Sequence, residues 1–208
     1  MEKRLSKKSL LKKQPAKKQP AKKLAAKKPL AKKPRSEASK LSAEKKSDLE
    51  SLLQAGDMAP PFSLQNEKGQ VISLKSLLGK KVILYFYPKD DTPGCTQESC
   101  DFKDHFGRFK KLSVLVFGVS RDSVKSHAKF QEKHEFPFSL LSDETGVTTE
   151  RYGVWKEKSM YGRKYMGIER STFLIDEKGR ILKVYPKVKV GGHVEQVLEA
   201  LLEVTKND

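Results

Sequence analysis

An α/β fold with a mixed central sheet flanked by helices follows from three observations on the sequence. Two continuously apolar, β-forming runs, Lys81–Tyr87 and Leu112–Val119, enclose a segment with helical spacing, which makes a βαβ unit with parallel strands. Two pairs of short apolar segments, 62–64 with 71–74 and 171–175 with 181–185, each flank a polar turn ending in Gly69 or Gly179, the mark of a hairpin. The net charge of +17 sits at one end: residues 1–48 carry 18 basic and 4 acidic side chains, residues 49–208 carry 25 and 22. We therefore expect a disordered cationic arm over 1–48 and a single domain over 49–208, near neutral and large enough to bury a core.

The arm comes first in chain order. Lysine pairs recur every five residues, at Lys7, Lys8, Lys12, Lys13, Lys17, Lys18, Lys22, Lys23, Lys27, Lys28, Lys32 and Lys33. Five residues turn a helix through about 500°, so the pairs spiral and define no face. Pro15, Pro20, Pro29 and Pro34 each remove an amide donor and push the preceding residue to extended geometry. From Lys3 to Arg35 there are 15 positive charges and no negative ones; such a segment repels itself and buries little, and it reads as disordered. The paired lysines are candidate contacts to the phosphates of DNA or another polyanion. With half the charges engaged, log K would fall with a slope of roughly −7 against log salt. No aromatic side chain is present to stack on a base, which argues against specific single-strand recognition. An import signal and a solubilising tail stay open as alternatives. Membrane attachment lacks an apolar face or acylation signal, and a transit peptide would be richer in Arg and Ser.

Residues 36–54 mix both charge signs with Leu41, Leu49, Leu52 and Leu53, a short helix or a linker before a domain that starts near Gly56. A hairpin is expected first, then the strand Lys81–Tyr87. Thr96–Lys111 reads as one helix with Phe102, Phe106 and Phe109 on its inner face, and Leu112–Val119 as the next strand. Ser123–His134 is a helix opened by the Asp122/Ser123 cap signal, and Ser139–Leu141 a short strand. The second hairpin follows. His193–Val204 closes the chain as an amphipathic helix with Val194, Val197, Leu198, Leu201 and Leu202 inward. A βαβα half followed by a ββα half is the thioredoxin arrangement with extra N-terminal strands.

Composition excludes several classes. Two cysteines rule out a disulfide-rich scaffold, and with four histidines they make a cysteine-rich zinc module untenable. His105, His127, His134 and His193 show no metal-ligand spacing and read as surface helix residues; no metal or cofactor is expected. There is no C-x-x-C motif, no apolar run long enough to span a bilayer and no secretory signal. We expect a soluble, cytoplasmic protein. Trp155 with Tyr152 suggests an aromatic cluster, either core or pocket wall.

The chemistry-bearing stretch is Tyr87-Pro88-Lys89-Asp90-Asp91-Thr92-Pro93-Gly94-Cys95-Thr96-Gln97-Glu98-Ser99-Cys100. It lies where a buried parallel strand ends and a helix begins, the ligand-facing edge of an open α/β sheet. Cys95 falls in the first helical turn, where free amide donors and the helix dipole favour a thiolate. A thiol of pKa about 8.5 is only a few per cent ionised at neutral pH, so a shift of about two units makes most of it reactive. Pro88 and Pro93 stiffen the loop. In an unbroken helix the Cα atoms of Cys95 and Cys100 lie about 8.7 Å apart, whereas a disulfide needs roughly 4.4–6.8 Å. A permanent bond is disfavoured, and a transient one requires the first helical turns to unwind. The alternative is two unrelated thiols.

Thr92-Pro93-Gly94-Cys95-Thr96-Gln97-Glu98-Ser99-Cys100 after Tyr-Pro resembles the peroxiredoxin Q group, also called bacterioferritin comigratory proteins. The resemblance covers about residues 55–205 and extends to Gly56–Phe62, Gly118–Ser123, Leu140–Asp143 and Gly167–Asp176. Ser99 stands where the family commonly has Ala. The resemblance implies a thiol peroxidase in which Cys95 attacks the peroxide and becomes a sulfenic acid. Thr92 would hold the peroxide, Pro88 would shield the sulfur, and Arg170 would stabilise the thiolate and the leaving oxygen. Cys100 would resolve the sulfenic acid as an intramolecular disulfide, reduced in turn by thioredoxin or a similar dithiol. It also implies a monomer acting on hydrogen peroxide and organic hydroperoxides. The arm would hold it at the nucleoid of a bacterium or in the nucleus of a eukaryote. A reading from another class is an architectural nucleic-acid-associated protein whose peroxidase domain is incidental.

Overall fold

The computed structural model describes residues 53–160 and 162–207. The cationic arm, its paired lysines and the domain boundary at 48/49 lie outside the described residues. Within them no helix is long and apolar enough to cross a membrane.

The first hairpin pairs β1 (Ser63–Asn66) with β2 (Val71–Ser73), Leu64 opposite Ile72. A single 3-10 turn, Leu74–Leu77, follows, its N-terminal end capped by reciprocal bonds between Ser73 and Ser76. β3 (Lys81–Phe86) and β4 (Val114–Ser120) pair in parallel, as the βαβ reading requires, with Ile83 opposite Val116. The connecting segment is two helices rather than one, α1 (Pro93–Asp104) and α2 (Phe106–Lys111). They meet at His105, whose backbone (φ −94°, ψ 1°) leaves the helical region. Gly107 just beyond is a poor helix former, and the His105 ring bonds Asp101 O at 2.9 Å, fixing the joint.

α3 (Val124–His134) opens with Ser123 Oγ accepting from the Ser126 amide. β5 (Ser139–Ser142) adds to β4 in parallel and to β1 in antiparallel fashion. After the short α4 (Val147–Arg151) comes a hairpin that sequence patterning missed, β6 (Trp155–Met160) with β7 (Arg163–Ile168), a two-stranded sheet of its own. The second expected hairpin has the expected ends, β8 (Ser171–Ile175) and β9 (Ile181–Tyr185). α5 (His193–Asn207) completes the described chain. The seven-stranded sheet runs β2-β1-β5-β4-β3-β8-β9, the mixed thioredoxin-like arrangement.

Alternate residues of β3, with Tyr87 just after it, serve two cores, as expected for a strand covered on both faces. Ile83, Tyr85 and Tyr87 pack with Phe102, Phe109, Phe130, Val194, Val197, Leu198 and Leu201 from α1, α2, α3 and α5. Val82, Leu84 and Phe86 pack instead under Phe62, Leu74, Leu77, Tyr152 and Val154. The cover is unequal, four helices on one face and mostly turns and strand ends on the other. Tyr152 is core, ringed by Phe86 and Phe173, while Trp155 receives the Arg121 guanidinium 4.3 Å above its ring. Leu202, expected inward, is 39% exposed; it sits about 90° from the centre of the 194/197/198/201 stripe.

Two histidines expected on helix surfaces are buried. His193 is 3% exposed, with Nε2 at 2.8 Å from Thr172 Oγ1, and its burial pushes its pKa down to about 4. His127 is fully buried against the carboxylate of Asp90 at 2.9 Å. In each case a polar partner from a distant segment offsets the desolvation that a lone buried imidazole would suffer.

Candidate active site

The loop from β3 to α1 is held from beneath by α3. Asp90 is the anchor: its carboxylate accepts from Tyr87 OH at 2.7 Å and Ser126 Oγ at 2.7 Å and faces His127 Nδ1. Its amide donates to Asp122 Oδ2 at 2.8 Å. Asp91, in the left-handed region at φ 53°, turns its carboxylate to Lys133 Nζ at 2.7 Å. Pro88 is exposed at the start of this loop. Thr92 is the N-cap residue, extended at φ −98° and ψ 148°, and its hydroxyl donates to Lys89 O at 3.0 Å instead of capping the helix. Pro93 takes the first helical position, where its missing amide costs nothing.

Cys95 therefore stands in the first turn of α1, as expected, and is 1% exposed. Arg170, just ahead of β8, reaches across the sheet edge, and its Nη2 donates to Cys95 Sγ at 3.3 Å. Its Nη1 donates to Glu98 Oε2. Glu98 is three residues beyond Cys95, hence on the same helix face, and fully buried. Burial pushes the Glu98 carboxyl up to about 7 against the opposing pull of Arg170. Burial also works against the Arg170 charge, but Glu98 and Cys95 outweigh it and hold its pKa above the ordinary value. Sequence reading assigned no role to Glu98. The available signal was its spacing from Cys95, which is ambiguous while the partner guanidinium, 72 residues away, is unplaced.

The structure thus brings Arg170 into contact with both Cys95 and Glu98 and sets Thr92 at the mouth of the same turn. It does not bring Cys100 to Cys95. Both thiols are free, and α1 is continuous through both. Cys100 is partly buried, and burial, reinforced by Asp104, pushes its thiol up. Between them, Ser99 is fully buried and shares a 2.9 Å hydrogen bond with the buried Tyr85 OH. A second residue missed from sequence is Lys158 of β6. It donates to Ile168 O at 2.5 Å and lies close enough for the charges of Arg170 and Cys95 to act on it. Among the described residues no group of His, Cys, Asp and Glu could hold a metal ion.

Chemically, a sulfur in a helix's first turn with a guanidinium donor beside it is built to carry negative charge. Comparisons with known proteins identify the family. Residues 55–184 match the AhpC/TSA family. A relative from Coxiella burnetii is 54% identical over 149 residues, 72% of this chain and 99% of its own. Peroxiredoxin Bcp of Bacillus subtilis is 47% identical over 154 residues, 74% of this chain and 98% of its own. Among solved structures, the bacterioferritin comigratory protein of Xanthomonas campestris is 44% identical with a TM-score of 0.66, covering 68% of this chain and 90% of that one. A Xylella fastidiosa PrxQ variant is 39% identical with a TM-score of 0.70, covering 74% and 98%. The chain belongs to the AhpC/TSA family and, within it, to the peroxiredoxin Bcp or Q group: it is a peroxiredoxin.

Proposed function

We propose that this peroxiredoxin reduces hydrogen peroxide and organic hydroperoxides with Cys95 as the attacking sulfur. The observation that carries this reading is the bond from Arg170 Nη2 to Cys95 Sγ at 3.3 Å in the first turn of α1. The Cys95 thiolate attacks the terminal peroxide oxygen; an S–O bond forms, the O–O bond breaks, and the departing oxygen takes a proton to leave as water or an alcohol. Arg170 offsets the charge that moves from sulfur to the leaving oxygen, and Glu98 holds the guanidinium in place. Thr92 turns its hydroxyl from Lys89 O to the bound peroxide, and Pro88 shields the approach. Cys100 then attacks the sulfenic sulfur, hydroxide leaves as water after protonation, and a Cys95–Cys100 disulfide results. Thioredoxin or a similar dithiol returns both thiols by exchange, becoming oxidised itself. The enzyme works in the cytoplasm as a monomer, and the lysine pairs of the arm bind DNA or another polyanion and hold it there.

Cys95→Ser abolishes turnover. Cys100→Ser completes one round of peroxide reduction and is not recycled. Intact-mass analysis after one equivalent of hydrogen peroxide is the direct test: a loss of two hydrogens mapped to the two cysteines supports the scheme, and full activity in Cys95→Ser overturns it. For the arm, removal of residues 1–48 abolishes salt-sensitive DNA association while peroxide turnover persists; association that survives the truncation refutes that part.

A further inference from the structure

The central sheet has a step in its middle. β4 and β3 pair from their first residues, Val114 opposite Lys81, but β5 begins only opposite Phe117. Val114, Leu115 and Val116 thus lie beside β3 on one side and opposite no residue of β5 on the other. The cause is visible in the sequence: Pro137, two residues before β5, lacks the amide that a ladder needs. A strand edge left in this way offers backbone N–H and C=O groups to a further strand.

The edge opens on a cavity of about 930 Å³. Val114 and Val116, which belong to the core under the helices, line it together with Leu115 and Phe117, which belong to the opposite core. Successive side chains point to opposite faces of a strand, so a cavity that touches all four lies at the strand's edge and not over one face of the sheet. Phe106, Leu112 and Phe138 supply an apolar hollow, and Lys80, Lys110 and Lys111 are exposed around it. The one acid in the lining, Glu177, lies 3.6 Å from Lys81. Among the described residues none of the three exposed lysines is paired with an acid. The charge selects an acidic occupant, and the open edge favours an extended backbone over a small amphipathic anion.

We propose that this notch docks an acidic, extended segment of a partner protein as a short strand beside Val114–Val116. An apolar side chain of the segment fills the hollow, and its carboxylates face Lys80, Lys110 and Lys111. The notch lies at the start of β3 and β4, whereas Cys95 follows the end of the six-residue β3, about 20 Å along the strand. An occupied notch therefore leaves peroxide turnover unchanged. The probe is a fluorescein-labelled peptide, Glu-Glu-Val-Leu-Val-Glu-Glu, titrated by anisotropy against the full chain. It binds saturably, and its affinity falls as salt rises. Affinity drops about ten-fold in the double variant Lys110→Glu with Lys111→Glu, both exposed positions whose replacement spares the fold and turnover with dithiothreitol. N-methylation of the three central peptide amides abolishes binding. With the parent peptide bound, amide exchange of the protein slows within Val114–Val116. Absence of binding up to about 1 mM peptide overturns the proposal. So does full affinity in the double variant, the result expected if the peptide binds only the lysine pairs of residues 1–48. Undiminished binding of the N-methylated peptide, or displacement of the parent by equimolar dodecanoate, also overturns it and makes the cavity a site for small amphipathic anions.

Discussion

On the roles proposed for the two cysteines, replacing Ser99 by Ala accelerates formation of the Cys95–Cys100 disulfide about five-fold. Disulfide geometry is out of reach while α1 is helical, because the Cα separation of about 8.7 Å exceeds the roughly 6.8 Å limit. The rate is then the unwinding equilibrium multiplied by the rate of the sulfur–sulfur step. Ser99 lies between the cysteines, and its 2.9 Å bond to Tyr85 OH exists only in the helical form. Tyr85 cannot turn elsewhere. Its ring stacks on Phe102 at 4.6 Å between centroids, and a Cβ at Gly118 would meet its hydroxyl at 2.6 Å. Ser99→Ala therefore strands a fully buried phenol, costing about 1–3 kcal/mol, offset by about 0.5 kcal/mol of helix propensity. A net of about 1 kcal/mol against the helix raises the unwound population about five-fold. Unwinding lets water reach the phenol, so the loss is confined to one side of the equilibrium. Acid-quenched mass spectrometry after one equivalent of peroxide reads the rate, and over-oxidation of Cys95 at high peroxide falls in parallel. The double variant Tyr85→Phe with Ser99→Ala leaves no stranded hydroxyl and returns near the wild-type rate. An unchanged or slower disulfide in Ser99→Ala, or a double variant faster than the single, refutes the reasoning.

Two buried titrating groups act on stability in opposite directions. Glu98 is raised to about 7 from 4.5, so the folded state holds a proton that the unfolded chain has lost. Its contribution is full below about 4.5 and disappears as pH rises through 7; Glu98→Gln thus gains on the wild type by about 1.4 kcal/mol per pH unit across that window, read by urea denaturation at several pH values. His193 is lowered to about 4 from 6.5, so the unfolded chain takes up a proton that the fold refuses. Wild-type stability is full above 6.5 and falls as pH drops toward 4; His193→Gln, able to bond Thr172, flattens that acid limb by up to about 3 kcal/mol. A parallel pH dependence in variant and wild type would contradict either assignment.

Legibility in the sequence followed the range of the interactions. The β8–β9 hairpin was readable to its ends because its turn is self-contained. Asp176 Oδ1 accepts from the amides of Lys178 and Arg180, and Gly179 takes φ 81°. β3 was readable because a strand covered on both faces is apolar throughout. β6 and β7 were not: Lys156, Glu157 and Lys158 opposite Gly167, Met166 and Tyr165 carry no clean alternation, since an outlying hairpin has no core face to enforce one. His127 and Glu98 failed for a related reason. Each reads as a solvated helix residue until its partner, Asp90 or Arg170, arrives from 37 or 72 residues away. The motif around Cys95 marked the turn where β3 gives way to α1, but the charged partners gathered there are long-range.

On the proposed roles of the two cysteines, the helix that presents Cys95 must also release it, and its surroundings confine where that happens. Upstream, Asp91 is tied to Lys133; downstream, Lys103 Nζ donates to His134 O at 2.7 Å. Both tethers end on the last turn of α3, so the segment between them is a loop whose ends stay close whether it is helical or not, which limits the entropy that unwinding releases. Beyond Lys103, Phe109 is fixed in the core. The order of steps follows: with the helix intact Cys100 is kept protonated by burial and too far to react, so the sulfenic acid must form before the resolving thiol becomes available. On the proposed roles, hydrogen exchange of the disulfide form shows lost protection over about residues 93–101, with the Tyr87–Asp91 loop, α2 and α3 as slow as in the reduced enzyme. Protection lost throughout α3 would mean that the tethers do not hold and that resolution proceeds through a far larger opening.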